Sequence, residues 1–243
     1  MTDARGLEVD AVDFGYRSSQ PVLMDVSWVP GRRSALLGPN GAGKSTLFGV
    51  ACGALRPQRG TVRVGGVVVR PGRVGWMPQT IQALPSLRCR EQVALAGWMQ
   101  GLSRTSAWSA AAEALDAVAL TSKADERAST LSGGQLRRLG VAEVLVAEPA
   151  AVLLDEPTVG LDPMQRDHVR NLIAGLGDRC QVVVATHLVE DLATAFDTVT
   201  VLVEGSIRFD GSVAAFLELG TTEGGFSDRA TAAYAVAVGT TER

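Results

Sequence analysis

The stretch SALLGPNGAGKSTLF, Ser34 to Phe48, decides how this chain folds. Its first four residues read as a short buried strand and Ser45 to Phe48 open a helix, so the glycines fall in the turn between. Gly38, Gly41 and Gly43 let the backbone fold tightly enough to aim its N–H groups inward, with Pro39, Asn40 and Ala42 between them. That is a P-loop. Converging N–H groups and the positive end of the helix dipole hold anionic phosphates, Lys44 reaches the outer ones, Ser45 offers its hydroxyl to Mg²⁺, and Thr46 follows in the first helical turn.

Composition supports the same reading. Of 23 Lys and Arg residues only Lys44 and Lys123 are lysine, so arginine is the default cation and one of two exceptions stands in the motif. A compact ammonium enters a closed phosphate nest where a planar guanidinium does not. At 243 residues the chain is long enough for a large core, and one compact unit spanning 1–243 is the economical expectation. A net charge of −3 gives no basic field, so no nucleic-acid partner is expected. The longest apolar runs, Val182–Ala185 and Val199–Val203, are strand-sized and far short of the roughly 20 residues that span a bilayer. MTDARGLEVD carries no secretory pattern, and Cys52, Cys89 and Cys180 are odd in number with no CxxC pair, so free thiols in the cytoplasm are expected.

Up to Pro78 the chain reads as short strands and turns: Leu7–Phe14, Val22–Val29, Arg33–Leu37, Thr61–Val64, Val67–Val69 and Val74–Met77, interrupted by one helix near Gly43–Gly53. From about 88 to 147 the pattern becomes alanine- and leucine-rich with helical spacing, and Ser106 or Ser109 is the expected cap within it. Thereafter Ala151–Leu154 and Gln181–Thr186 are apolar strands around a helix at Pro163–Leu176, whose proline stands in the first turn. Apolar strands alternating with helices imply a parallel sheet covered on both faces. A hairpin around Glu204-Gly205 and a helix at Ser212–Leu219 close the core; within the tail, 221–243, a short helix capped by Ser227 or Asp228, or a loose segment, is expected.

Two further motifs carry chemistry. Asp155-Glu156 ends an apolar strand, which puts Asp155 at a buried strand tip where it can hold Mg²⁺ and turns Glu156 elsewhere, as a candidate base for an attacking water. LSGGQ, Leu131 to Gln135, precedes a helix, so Ser132 with the N–H groups of Gly133 and Gly134 forms a second anion site, or simply an N-cap turn.

Together these residues make the chain, from Leu7 to about Leu219, resemble the nucleotide-binding domain of the ABC ATPases. The resemblance implies an α/β fold: a P-loop NTPase core with a mainly parallel sheet, an N-terminal antiparallel β subdomain and an inserted α-helical subdomain at about 88–147. It also implies roles. Tyr16 would stack on adenine, Gln79 would approach Mg²⁺ with Ser45 and Asp155, and Glu156 would be the catalytic glutamate. Asp162 would belong to the D-loop and His187 would be the switch histidine near the γ-phosphate. Ser132, Gly133, Gly134 and Gln135 would act in trans on ATP held by a second subunit, so Lys44, Gln79, Glu156 and His187 of one chain would meet the signature motif of another. The implied cofactors are ATP and Mg²⁺. The implied partners are a second copy or a homologous ATPase subunit and a separate transmembrane permease, with the chain peripheral on the inner face of the cell membrane. The wording EPTVGLDP and HLVED resembles exporters of the ABC-2 type, and the alternative is an ABC-type assembly or regulatory ATPase without a permease, as in iron–sulfur assembly. Trp98, Met99 and Trp108 of the helical segment read as packing residues or as the place where a membrane partner docks.

Overall fold

A computed structural model of the protein describes residues 6–17, 20–70, 72–192, 196–220 and 224–239. The ends of the tail and the opening Met1–Arg5 lie outside them. Two sheets form. Strands β1 (Leu7–Phe14), β2 (Leu23–Trp28), β4 (Arg59–Val64) and β5 (Val67–Val68) make an antiparallel sheet in the order β2-β1-β4-β5. Strands β3 (Arg33–Leu37), β6 (Val74–Met77), β7 (Ala151–Asp155), β8 (Gln181–Thr186), β9 (Thr198–Val203) and β10 (Ser206–Ser212) make the second, in the order β10-β9-β3-β8-β7-β6. All neighbours in it are parallel except the β9–β10 hairpin.

The central strands are short runs of apolar residues because both their faces are covered. Val152, Leu154, Val182 and Val184 pack under α4 (Gly133–Leu145) and α5 (Pro163–Leu176). Their neighbours Leu153, Val183 and Ala185 point the other way, onto the fully buried Phe48 of α1 (Lys44–Ala51) and the inner face of the antiparallel sheet. Val199, Val201 and Val203 meet Phe216 of α6 (Val213–Glu218) and Ala230 and Ala233 of α7 (Phe226–Val238). A polar bond ties the two sheets as well: the indole N–H of Trp28 donates to Thr200 Oγ1 at 2.9 Å, and within the second sheet Thr200 donates in turn to Asp210 at 2.7 Å.

The helical segment is α2 (Cys89–Met99), α3 (Arg104–Ala117) and α4. Its cap differs from expectation. Ser103, not Ser106 or Ser109, begins α3, and its hydroxyl accepts the backbone N–H of Ser106 at 3.1 Å. In the tail a helix does form over Phe226–Val238, but Gly225 occupies the cap; Asp228 stands one turn in and its carboxylate accepts the Gly225 N–H at 3.0 Å.

One carboxylate in this helical segment is dislocated from water. Glu143 on α4 accepts the side-chain amide of Gln92, yet burial outweighs that bond and pushes its carboxyl up to about 7. The folded chain therefore binds a proton here that the unfolded chain releases at lower pH. Its contribution to stability is whole below the unfolded value of 4.5 and is lost as pH rises through 7. Between pH 5 and 8.5 the Glu143→Gln variant should gain about 2–3 kcal/mol on the wild type, measured by urea unfolding at both pH values. Parallel curves for the two proteins would contradict that burial.

Candidate functional site

Parallel register brings the strand ends to one level. Leu37 pairs with Thr186 and Asp155 with Ala185, so Gly38, Glu156 and His187 leave the sheet side by side at its C-terminal edge. That edge is where an open α/β sheet binds ligands.

The loop after β3 is shaped by contact. A side chain on Gly38 would strike the carbonyl oxygen of Leu202 at 2.3 Å, and Gly43 has φ +104°, which favours glycine. No side chain caps the start of α1, so its first N–H groups remain for an anion. Lys44 is 7% exposed and folds back over the loop, its ammonium donating to the carbonyls of Gly38 at 2.6 Å and Pro39 at 3.2 Å. Burial lowers its pKa, and the carboxylates of Glu156 and Asp155 oppose that shift. An ammonium held over a phosphate nest by two carbonyls can exchange them for phosphate oxygens.

Asp155 ends β7 and Glu156 turns out of the strand. Ser45 donates its hydroxyl to Asp155 Oδ2 at 2.5 Å, while burial, helped by Glu156, raises the Asp155 carboxyl against that bond. Glu156 is 5% exposed and has φ +50°, unusual for a side chain with a Cβ. Its N–H is bonded to the Ala185 carbonyl at 2.9 Å, which helps hold that conformation. One carboxylate oxygen, Oε1, shares a hydrogen bond of 2.8 Å with Nδ1 of His187; the other, Oε2, is buried without a partner. A base, its orienting imidazole and an open lone pair thus meet at one point.

Mg²⁺ prefers hard oxygen donors. A hydroxyl and a carboxylate already in contact, those of Ser45 and Asp155, are a donor set that fits it. Gln79 stands apart. It is exposed on the loop after β6, its amide has no hydrogen bond among the described residues, and its carbonyl accepts the guanidinium of Arg137 from α4. Arg137 escaped the sequence reading; its only signal was an arginine one turn beyond LSGGQ.

Tyr16 lies beyond the end of β1, 67% exposed, its ring edge-on to Phe14 at 5.2 Å and its hydroxyl 3.4 Å from Thr46 Oγ1. An exposed ring anchored to the first turn of α1 presents a face for stacking. The LSGGQ segment caps α4: Ser132 Oγ accepts the Gln135 N–H at 3.4 Å and Gln135 Oε1 accepts the Ser132 N–H at 2.9 Å. Ser132 and Gly133 face outward, whereas a side chain on buried Gly134 would meet Gln165 of α5 at 2.9 Å. Asp162 caps that same α5, accepting the Gln165 N–H at 2.9 Å. Gly134 and Asp162 therefore both lie against Gln165, which brings the LSGGQ segment and the start of α5 together.

Residues 23–159 match the family model described as "ABC transporter". Among similar proteins is the linearmycin resistance ATP-binding protein LnrL of Bacillus subtilis, 34% identical over 184 residues, which cover 73% of this chain and 59% of that protein. The chain thus spans under two thirds of LnrL. The cobalt import ATP-binding protein CbiO of Rhodobacter capsulatus is 35% identical over 240 residues, 93% of this chain and 82% of that one. A solved structure described as the ATP-binding subunit of an ABC transporter superposes with a TM-score of 0.78 at 23% identity, over 94% of this chain and 99% of the other, a likeness of fold.

Proposed function

Because this chain belongs to the ABC transporter family and is an ATPase of that kind, we propose that it is the ATP-hydrolysing subunit of a membrane transporter whose permease is a separate chain. Among the described residues no helix is long and apolar enough to cross a membrane, which is consistent with that division of labour and with a peripheral place on the inner face of the membrane. On this reading 1–243 is a single ABC ATPase domain with its helical insertion at about 88–147.

The observation that carries the two-chain reading is the outward-facing start of α4. Ser132 and Gly133 are exposed at the start of a helix packed against α2 and α3, so the Gly133 N–H and the Ser132 side chain face outward, toward nucleotide bound to another copy. In the head-to-tail dimer we propose, Tyr16 stacks on adenine and the loop Gly38–Thr46 holds the phosphates. Lys44 leaves its loop carbonyls for the outer phosphates, and Ser132, Gly133 and Gly134 of the other copy close the site. Ser45 and Asp155 would hold Mg²⁺, with Gln79 as a further donor, and the ion would supply neutralisation of the phosphate charge. Glu156 Oε2 accepts a proton from water as the water oxygen bonds to the γ-phosphorus. The bond from that phosphorus to the β–γ bridging oxygen breaks, leaving ADP and phosphate. His187 holds Glu156 in position and faces the γ-phosphate.

Direction is a finer matter. EPTVGLDP supports export, whereas a cobalt import protein shares as much identity as a resistance protein does. The chain itself supplies closure, and the permease would set direction. Affinity purification from detergent-solubilised membranes tests the reading: a multispanning membrane protein should co-purify stoichiometrically and raise the ATPase rate. Recovery of cluster-assembly proteins instead would overturn it.

A further inference from the structure

His187 follows β8 with its side chain 48% exposed, so packing around the ring does not hold it. What holds it is the backbone on either side. β8 fixes the residue before it, and a short turn, Val189–Asp191, follows almost at once. The Leu188 N–H donates to Thr186 Oγ1 at 3.0 Å, which ties the near end of that turn to the strand. Beyond it the chain rests on two apolar anchors, buried Val189 and Leu192, with exposed Glu190 between them. Both anchors share a cluster with Phe216 of α6 and with Ala230 and Ala233 of α7, and α7 packs directly on the turn.

The seat is firm and closely fitted. A side chain on Gly220 would strike the Arg229 carbonyl oxygen of α7 at 2.3 Å, and the Arg229 guanidinium donates to the Leu217 carbonyl of α6 at 3.4 Å. Ala230 and Ala233 are 0% exposed, so a larger residue at either place fits only if the turn yields.

We propose that α7 is a positioning element for hydrolysis: through Val189 and Leu192, its Ala230 and Ala233 set how far the His187 imidazole reaches toward Glu156 and the γ-phosphate. The inference rests on the ATPase reading of the Glu156–His187 pair. That pair is joined by a single 2.8 Å bond across 31 residues of chain. A misplacement of about 1 Å, even one that starts far from the reacting atoms, can cost about a hundredfold in rate. Nucleotide affinity is spared, because the phosphate loop keeps its own supports: Gly38 lies against Leu202, and the Ala42 carbonyl accepts the Gly205 N–H at 3.0 Å.

The test uses the full chain, with ATP hydrolysis and the binding of a fluorescent ATP analogue measured in parallel. Ala233→Leu should lower kcat about tenfold while KM and affinity stay within about twofold, the split that marks misplaced chemistry and not lost binding. Leu192→Ala in the same chain vacates matching volume and should restore kcat to within about threefold of wild type. In a His187→Ala background Ala233→Leu should cost nothing further, since a helix that acts through the imidazole then has nothing left to move. An equal loss in that background, a loss that Leu192→Ala does not relieve, a fall in affinity that keeps pace with kcat, or a folded Ala233→Leu protein with unchanged kcat would each overturn the proposal while leaving the roles of Glu156 and His187 intact. If Ala233→Leu does not fold, Ala233→Val takes its place, with an expected loss of about threefold, and is judged by the same His187→Ala comparison. Should His187→Ala itself hydrolyse ATP as fast as wild type, the reading of the pair falls and the role of α7 with it.

Discussion

Replacing Glu156 by Gln is expected to slow ATP hydrolysis by about 10²–10⁴-fold while ATP binding stays within a few-fold of wild type. Glutamine has the same shape and can keep one oxygen on His187 Nδ1, as Glu156 Oε1 does at 2.8 Å, so the packing around a residue only 5% exposed is preserved. What is lost is the second oxygen, Oε2, as a proton acceptor. Removing a carboxylate close to Lys44 and Asp155 also lessens repulsion toward an incoming phosphate, so affinity should hold or tighten. Binding without turnover should then accumulate ATP-bound dimers, visible as a doubled mass by size exclusion with light scattering in ATP and a return to monomer in ADP. Hydrolysis within tenfold of wild type would remove Glu156 from the role of base. A variant that binds ATP yet stays monomeric would instead count against the shared site.

Replacing Lys44 by Ala acts at an earlier step, by weakening nucleotide binding itself, by about two orders of magnitude or more. The ammonium is the one side-chain cation of the loop, nearly buried, and its two carbonyl bonds are those a phosphate would displace. Its removal leaves the carbonyls of Gly38 and Pro39 facing the phosphates with no positive charge between. Folding should survive, because a desolvated ammonium contributes little to it and the loop conformation rests on Gly38 and Gly43. Titration with a fluorescent ATP analogue reads the effect, and unchanged affinity would show that backbone N–H groups alone hold the phosphates.

What the chain discloses before folding depends on the length scale of the signal. Leu7–Phe14, Val74–Met77, Pro163–Leu176 and Gln181–Thr186 could be bounded to the residue, since each is a pure period or ends at a proline or polar break. Caps are decided by single hydroxyls competing within a few residues, and Ser103 wins over Ser106 because the preceding Gly101-Leu102 turn delivers it to the helix start first. The P-loop was legible because its parts are contiguous. Glu156 and His187 could each be picked out, but their contact spans 31 residues and is created by the Asp155–Ala185 pairing, which no local pattern encodes. Glu143 was passed over for the opposite reason: it is the one charge in the apolar run Leu139–Ala147, yet an acid on a helix reads as solvated, and its contact with Gln92, which in turn holds the Gln82–Leu84 loop, joins distant segments.

The pairing of Asp155 with Ala185 has one further consequence. Asp155 is the last residue of the ladder and Glu156 turns away from it at φ +50°, so the pairing decides which of two neighbouring acids would hold the metal and which would act as the base. Remove one residue between Ala151 and Leu154 and both acids would step back one place along the ladder, Asp155 into the buried position of Leu154 and Glu156 into the position beside Ser45. The result would be an acid in the core and Pro157, which has no proton acceptor in its side chain, where Glu156 had stood. In that sense the sheet works as an alignment jig, and its tolerance is a single residue.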